Sequence, residues 1–328
     1  MKWLKLFLFD MFFIISSVIG VGFATGKEIE HFFLGGKSVW IAVGVFFVVF
    51  TALTWYFLYI KNKYNVTTLT QLNKLAFGKN FEIGNIVLII LFIVTNAAML
   101  AGCDNIMHNY FGLNLPIVSV FLSAITFFVV LGGINKIKVI SNIVMPALIV
   151  IIMLNVFANA NTFNISLNNK AYLDIAYPAL FCFENFITII AVLIKTKSKP
   201  KHLSIMSGLV LAMVIALSTI AIYGVSSDMP LLSTAKNVGN IFFVIYLVGV
   251  LFALFITLQI SAYNCLEICA KNKQHKYFVN IMILLISQTI SYLGFTFIVQ
   301  YLYSAIGILG GVYLLALIVR LIIVNRRR

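Results

Sequence analysis

The chain has 328 residues, of which 62% are hydrophobic and only 10% are charged, and its formal net charge at pH 7 is +14. So apolar a composition excludes a soluble domain, which would aggregate in water. The basic residues lie in short patches between long apolar runs, so the positive charge indicates membrane topology and no nucleic-acid partner. The composition predicts an all-α integral membrane protein that is surrounded by membrane lipid.

Ten segments are apolar enough and long enough to cross a bilayer, which takes about 20 residues of helix. They cover approximately residues 6–34, 39–60, 84–107, 117–134, 139–158, 172–194, 203–226, 241–265, 278–299 and 301–324. Between the second and third segments, Leu69, Leu72 and Leu75 recur at helical spacing after Thr68. This spacing predicts a short helix at the membrane interface.

The distribution of Lys and Arg predicts the orientation of these segments, because cytoplasmic loops collect positive charge. When the connections are assigned alternately to two sides, 18 of the 23 basic residues fall on one side. Only Lys37, Lys170 and Lys236 fall on the other side, and Lys27 and Arg320 lie within segments. We therefore expect a multi-pass protein of the plasma (inner) membrane with both termini in the cytoplasm. Its richness in Ile, Asn and Lys is typical of an AT-rich bacterial genome.

Neither enzymatic chemistry nor a cofactor is indicated. The four cysteines form no C-x-x-C pair and no cluster with histidine, so the sequence predicts neither a disulfide framework nor a structural metal site. The chain also lacks H-E-x-x-H and G-x-S-x-G motifs, so we expect no enzyme. No connection is long enough for a soluble domain, and we expect a single transmembrane domain over residues 1–328 with its site between helices.

The first segment contains Gly20, Gly22 and Gly26 near its middle, followed by Lys27 and Glu28. Glycine lets the backbone leave helical geometry, but open backbone survives in a membrane only where it faces protein, water or a ligand. Small residues also allow helices to approach closely, which is the structural alternative. We favour a functional break, because the run lies near mid-segment and charged residues follow it.

The sixth segment contains Pro178, and Glu184 and Asn185 follow at its centre. A carboxylate at a helix centre costs roughly 2.5–3.5 kcal/mol in the membrane unless it is paired or protonated. Glu184 therefore marks a site and a second helix break. The alternative is a neutral structural carboxyl that is hydrogen-bonded to a neighbouring helix.

Two other segments carry weaker signals. Thr257 and Ser261 share one face of the eighth segment, where hydroxyl oxygens suit Na⁺, although such side chains often bond to their own helix. Asn96 and Met99 flank a run of small residues in the third segment, which serves either a pocket wall or close helix packing. Asp10 and Lys5 are candidates for an ionic latch, with solvation of both as the alternative.

The two predicted breaks occupy the first and the sixth of ten segments, which predicts two five-helix halves, approximately residues 6–158 and 172–324. An odd number of crossings in each half forces the second half to enter the membrane from the opposite side. We therefore expect a LeuT-like fold, with a 5+5 inverted repeat in which helices 1 and 6 are broken.

The run GVGFATGKEI at positions 20–29 and the run AMLAG at positions 98–102 resemble an amino-acid permease family of uncharacterised LeuT-fold proteins. The family belongs to the amino acid, polyamine and organocation (APC) superfamily, and its length and number of spans fit the whole chain. Lys27 departs from the glutamine that is usual at this point of the motif.

The resemblance implies a role for particular residues. It implies a substrate site, with amides of the first helix capping a substrate carboxylate, formed by Gly20, Val21, Gly22, Phe23, Ala24, Asn96, Met99, Phe181, Phe183 and Glu184. It also implies a Na⁺ site formed by Ser16, Ile19, Thr257 and Ser261, with Glu184 as a further ion-coupling residue.

The function that follows is secondary active transport of amino acids or similar small organic solutes by alternating access, with Na⁺ or H⁺ as the coupling ion. The alternative is a nutrient-binding sensor subunit on the same fold that binds without net transport. The two readings share their site residues, so the sequence leaves both open, together with the oligomeric state.

Overall fold

The computed structural model describes residues 2–34, 38–113, 116–159, 173–270 and 273–326, and all regular structure within these ranges is helical. The α-helices are α1 (Lys2–Ser16), α2 (Val21–Thr25), α3 (Lys27–Phe33), α4 (Val39–Tyr64), α5 (Leu69–Phe77), α6 (Phe81–Phe111), α7 (Ile117–Leu131), α8 (Ile134–Ala158), α9 (Leu173–Ile194), α10 (Pro200–Ile222), α11 (Pro230–Val238), α12 (Asn240–Cys269), α13 (Lys273–Ser291), α14 (Phe295–Phe297) and α15 (Tyr303–Arg326). A 3₁₀ turn (Gly78–Asn80) precedes α6, and a π-helical turn (Ile298–Leu302) joins α14 to α15.

Seven helical stretches in the described ranges are long and apolar enough to cross a membrane by themselves. They are Val39–Tyr64, Leu69–Phe111, Ile134–Ala158, Ile175–Ile194, Pro200–Ile222, Asn240–Cys269 and Phe295–Val324. Helix α7 is apolar but has only 15 residues. The chain is therefore a multi-pass membrane protein, and the count of ten crossings stays a prediction.

The first segment is interrupted where its glycines lie, and α1, α2 and α3 replace the single helix of residues 6–34. Helix α1 contacts α8, α9, α10 and α12, whereas α2 contacts α6 and α12. The interrupted backbone therefore lies inside the helix bundle, where open backbone is tolerated because protein surrounds it.

The sixth segment differs from its prediction, because α9 continues without a break from Leu173 to Ile194. Pro178 lies in the second turn, where the missing amide removes one bond near the beginning of the helix. Asn185 Nδ2 donates to the Phe181 carbonyl oxygen at 3.1 Å, and Thr188 Oγ1 donates to the Asn185 carbonyl at 2.6 Å, so both side chains bond to their own helix. Thr188 Oγ1 also lies 3.3 Å from the Ser17 carbonyl oxygen in the first segment. Tyr172, the predicted beginning of this span, lies outside the described residues.

The predicted boundary between the last two spans, at residue 300, is wrong. Helix α13 ends at Ser291, and Gly294 adopts a φ of 88° before α14 begins. Only glycine adopts this backbone region without strain, so the turn forms here and the last helical stretch begins at Phe295.

The short helix predicted after Thr68 is present as α5; its location at the membrane interface stays a prediction. Thr68 caps it, since its Oγ1 accepts a hydrogen bond from the Gln71 amide at 3.2 Å. The buried Asn73 accepts from the Tyr313 hydroxyl at 2.7 Å and donates to Asn85 Oδ1 at 2.8 Å, which joins α5 to both α15 and α6.

Helix lengths repeat along the chain. Helices α4 to α8 have 26, 9, 31, 15 and 25 residues. Helices α10, α11, α12, α13 and α15 have 23, 9, 30, 19 and 24 residues. In both series, a nine-residue helix precedes a helix of about 30 residues.

Candidate functional site

The break in the first segment comprises residues 17–20, all of which are buried. Helix α1 ends at Ser16, and the amide of Gly20 donates to the Val18 carbonyl at 2.9 Å, so the chain tightens there instead of continuing the helix. A second interruption occurs at Gly26, which has a φ of 85° and separates α2 from α3. Because the helical ladder stops, carbonyl oxygens near the break are free to face a neighbouring helix or a ligand.

Three oxygen atoms meet between this break and α12. Thr257 Oγ1 lies 3.3 Å from the Ser16 carbonyl oxygen and 3.4 Å from the Ile19 carbonyl oxygen. Both distances exceed the range of about 2.5–3.0 Å that is usual for O–H···O hydrogen bonds in proteins. One turn further along α12, the Ser261 hydroxyl is buried without a hydrogen-bond partner among the described residues. The structure thus brings together three residues of the predicted ion site, Ser16, Ile19 and Thr257, and Ser261 lies one helical turn from Thr257.

A small buried cavity lies beside these oxygens. Its volume is about 10 Å³, which is the room needed by roughly one water molecule. The surrounding elements contribute Gly20, Glu28, Met99, Glu184, Thr257 and Tyr303 to its wall. The break, α3, α6, α9, α12 and α15 therefore all converge on one point.

Two carboxyl groups face this cavity. The Glu28 side chain of α3 is only 3% exposed, and the Glu184 side chain of α9 is 8% exposed. The two are close enough to interact electrostatically. Two anionic carboxylates in a dry cavity repel one another and lose their hydration, so this arrangement needs a proton or a cation.

The surroundings of Glu28 do not neutralise it. No hydrogen bond or ion pair joins its carboxyl to another group in the part of the chain that the structure describes. Its neighbour Lys27 pairs instead with Glu30 at 3.0 Å. Gly22 makes room for the carboxyl, since a Cβ at that position would lie 2.0 Å from Glu28 Oε1.

Several predicted substrate residues lie at the cavity. Gly20, Met99 and Glu184 line it, and a Cβ on Gly20 would lie 3.0 Å from the Met99 methyl carbon. Glu184 has one long contact, in which Asn185 Nδ2 donates to its Oε2 at 3.4 Å.

Other predicted residues on the first segment pack away from the cavity. Val21 fills the space left by Gly102 on α6, where a Cβ would lie 2.6 Å from a Val21 methyl group. The Ala24 carbonyl accepts a hydrogen bond from the Tyr246 hydroxyl at 2.9 Å. These contacts fix α2 against α6 and α12.

The predicted aromatic residues also pack elsewhere. Phe23 and Phe181 belong to a buried aromatic cluster, with ring centroids 6.4 Å apart. The Phe183 ring lies against Gly311 of α15, where a Cβ would be 3.0 Å from it.

Asn96 is fully buried, and both polar atoms of its side chain lack a partner among the described residues.

Sequence reasoning missed Glu28 and Tyr303 as cavity residues. Glu28 had a usable signal, because it is an acidic residue that follows the glycine run inside an apolar segment. Tyr303 had none, since tyrosine is frequent near membrane interfaces and its position on α15 becomes central only through packing.

One end of the bundle is closed by a polar network around Asp10. The Asp10 carboxylate is fully buried and forms an ion pair with Lys138 of α8. It also accepts hydrogen bonds from the amides of Lys197 and Ser198, both at 2.8 Å, and from the Ser198 hydroxyl at 2.7 Å. The Lys5 partner suggested by the sequence is exposed at the beginning of α1.

Comparisons with known proteins support this description of the fold. The chain shares 15% identity and a TM-score of 0.63 with Mhp1, a nucleobase-cation-symport-1 family transporter solved in a closed conformation with bromovinylhydantoin bound. The alignment covers 92% of this chain and 74% of Mhp1. A Na⁺-coupled sialic acid symporter in a substrate-bound outward-open state gives a TM-score of 0.62 at 13% identity, over 93% of this chain and 75% of that one. The chain therefore has the fold of these LeuT-like transporters.

A curated sequence relative matches part of the chain. The chain is 27% identical over 161 residues to the uncharacterised membrane protein YkvI of Bacillus subtilis (strain 168). The match covers 48% of this chain and 46% of YkvI, so the chain spans about half the length of this curated relative. No protein-family model matches the chain.

Proposed function

We propose that this protein is a secondary active transporter of amino acids or similar small organic solutes, which works by alternating access. The observation that carries the proposal is the buried cavity at the break in the first segment, which both Glu28 and Glu184 line. Organic solutes and coupling ions bind at such breaks in transporters, because unwound backbone and buried polar groups replace their hydration. The shared fold with two solved transporters supports this function.

Na⁺ is the coupling ion that the oxygen cluster favours. Oxygen ligands about 2.4 Å from a hard cation of this size, as around Ca²⁺, lie about 3.4 Å from one another when they are adjacent. The Thr257 hydroxyl has this spacing to the Ser16 and Ile19 carbonyls. Ser261 supplies a buried hydroxyl that lacks a partner in the described ranges. These neutral oxygens would coordinate the bound Na⁺, while a proton on Glu184 is the alternative coupling ion.

The architecture would be ten crossings in two inverted halves within one domain, with both termini in the cytoplasm. The seven long helices would be joined by the interrupted α1–α3 segment, by α7 and by α13. Helix α13 is long enough at 19 residues, and its basic first turn lowers its hydropathy. The repeated order of helix lengths in α4–α8 and α10–α15 supports the inverted repeat.

The conformation fits one step of alternating access. The Asp10 network closes the end that we assign to the cytoplasm, and the cavity has room for only about one water molecule. A solute therefore enters or leaves only after helices around the cavity separate, and the bound ion would bias which side opens.

The test is uptake of pooled labelled solutes into proteoliposomes, driven separately by an inward Na⁺ gradient and an inward H⁺ gradient. We expect uptake with one gradient, and we expect Glu184→Gln to abolish it or uncouple it from the ion while the protein still inserts. Glu82→Gln, an exposed change at the beginning of α6, is the matched control and should transport normally. Saturable binding without uptake under either gradient would overturn transport in favour of a sensor.

A further inference from the structure

A second cavity lies at the far end of α6 from its first residue. Its volume is about 430 Å³, large enough for a small organic molecule. Its wall includes Asp104, Asn105 and His108 of α6, Asp228 of the connection before α11, and Tyr292 after α13. The end of α12 is tied to the Asp10 side, because Glu267 pairs with Lys195 and the nearby Lys197 and Ser198 amides donate to Asp10. Helix α13 begins at Lys273, four positions after α12 ends at Cys269, and its 19 residues place Tyr292 about 28 Å from its beginning. This Asp104 cavity therefore opens at the end opposite the Asp10 network.

Both cavities are lined by acidic residues. The chain has nine acidic residues and 23 Lys and Arg. Four of the nine acidic residues line the two cavities, whereas no Lys or Arg among the described residues does; His108 lies in the wall of the second cavity. In a chain with a net charge of +14, this distribution places acidic groups at both cavities.

The acidic groups are poorly compensated by the protein. Asp104 Oδ2 accepts a hydrogen bond from the Ser119 hydroxyl at 2.9 Å, but Asp104 Oδ1 is buried without a partner in the described ranges. In the central cavity, Glu28 is only 3% exposed, and its carboxyl has no hydrogen-bond or ion-pair partner in the described part of the chain. A buried unpartnered carboxyl that lines a cavity is stabilised either by a proton or by a positively charged ligand.

The same geometry disfavours a ligand carboxylate. Helix α2 has only five residues, so few aligned peptide dipoles act at its beginning. The Glu28 carboxyl already lies against Gly22, where the resemblance to permeases implied that amides would hold a substrate carboxylate. A second anionic group placed there would be repelled by Glu28.

We propose that the transported solute is a cationic amine without a required carboxylate, which passes from the Asp104 cavity to the Glu28–Glu184 pair. The inference rests on the proposed transport function and narrows its substrate class from amino acids and similar solutes to amines of net positive charge. An ammonium group between Glu28 and Glu184 neutralises the pair and donates hydrogen bonds to carboxylate oxygens. The solute binds after the central cavity widens, because its present volume of about 10 Å³ is too small for an organic cation.

The test uses four-carbon solutes that differ only in charge: butylamine, 1,4-diaminobutane, 4-aminobutyrate and butyrate. Binding to the full chain in detergent is measured by calorimetry, which needs no gradient, and uptake is measured in proteoliposomes. We expect the two amines to bind at least about tenfold more tightly than zwitterionic 4-aminobutyrate, and we expect no binding of butyrate. Tighter binding of 4-aminobutyrate or butyrate would overturn the proposal.

Paired variants isolate the cavity. Glu28→Gln should weaken amine binding about 30-fold or more, because the cation loses one of two buried carboxylates. Glu82→Gln removes an exposed carboxyl at the beginning of α6, outside both cavities, and its affinity should equal that of the parent protein. Equal affinities of all three proteins would remove Glu28 from the site and overturn the assignment.

The outcomes separate the substrate class from the transport function. Amine binding in this charge order without uptake would overturn transport and leave the charge selectivity standing. Ion-driven uptake of 4-aminobutyrate without amine binding would leave transport standing and overturn the cationic class; the two carboxyls would then serve protons. Asp104→Asn should lower amine uptake most at low ionic strength, where electrostatic attraction is least screened, and unchanged uptake would exclude the Asp104 cavity from the route.

Discussion

Asp10 and Glu28 are both acidic residues buried near the first segment, yet their surroundings are opposite. Asp10 pairs with Lys138 and accepts three further hydrogen bonds from Lys197 and Ser198. Glu28 has no such partner in the described part of the chain and faces a cavity. A fully partnered carboxylate stabilises one arrangement of helices, whereas an unpartnered one in a cavity is available to a ligand. Burial alone therefore does not distinguish a structural ion pair from a ligand site. The hydrogen-bond and ion-pair partners of the carboxyl group do.

The largest effect is expected from disrupting the Asp10 network. Asp10→Ala leaves Lys138 without its buried partner, which costs about 3–5 kcal/mol and weakens the closure of this end. Asp10→Asn keeps an acceptor oxygen for the Ser198 amide, so its effect should lie between those of the parent protein and Asp10→Ala. The readouts are the apparent Tm in detergent and the rate at which a water-soluble thiol reagent modifies Ser17→Cys, which should rise in the order parent, Asp10→Asn, Asp10→Ala. Unchanged labelling would show that the network does not close the cavity at this end.

A smaller effect is expected from displacing the Glu28 carboxyl without removing it. A Cβ on Gly22 would lie 2.0 Å from Glu28 Oε1, so Gly22→Ala pushes the carboxyl aside. Because the displaced atoms belong to a flexible side chain, the fold should persist while amine affinity falls about tenfold, which corresponds to about 1.4 kcal/mol. Gly44→Ala on α4 is the matched control, since no heavy atom lies within 4 Å of its Cβ, and affinity should not change. Equal affinity of both variants would contradict the position assigned to Glu28.

The smallest effect on stability is expected at Thr257, whose hydroxyl has only long contacts with two carbonyl oxygens. Thr257→Val keeps the shape of the side chain and removes one weak hydrogen bond that the hydroxyl shares between two carbonyl oxygens, so the Tm without Na⁺ should change little. If the hydroxyl is a Na⁺ ligand, the Na⁺ concentration for half-maximal uptake should rise about tenfold, since one cation contact is worth about 1–2 kcal/mol. Thr289→Val, at an exposed hydroxyl of α13, is the control. An unchanged Na⁺ dependence would exclude Thr257 from the ion site.

Much of the fold could be predicted, and the failures have identifiable causes. The interruption of the first segment and the α5 helix followed from local chemistry, namely a glycine run and leucines spaced after a capping threonine. The break expected in the sixth segment is absent, because Pro178 lies near the helix beginning and Asn185 and Thr188 bond to their own helix. The last boundary was misplaced because polar residues near 300 were weighed above Gly294.

The candidate site was only partly predictable. Glu184, Met99 and the oxygen cluster around Thr257 were named from the sequence, and the structure brings these residues to one cavity and its border. Phe181 and Phe183 were named as well, but they pack against aromatic rings and against α15. Resemblance assigns a residue to a segment, whereas small shifts in helix rotation decide which face of that segment meets the cavity.

By itself, the sequence determined that this chain is a multi-pass helical membrane protein with an interrupted first segment and a carboxyl within the sixth. Only the tertiary structure decided that Glu28 faces Glu184, 156 positions away, and that Asp10 bonds to Lys138 and Ser198. The physical reason is the solvent. In water, the apolar face of a helix shows which side is buried, but in lipid the outer and inner faces are both apolar, so helix rotation and long-range partners are set by packing alone.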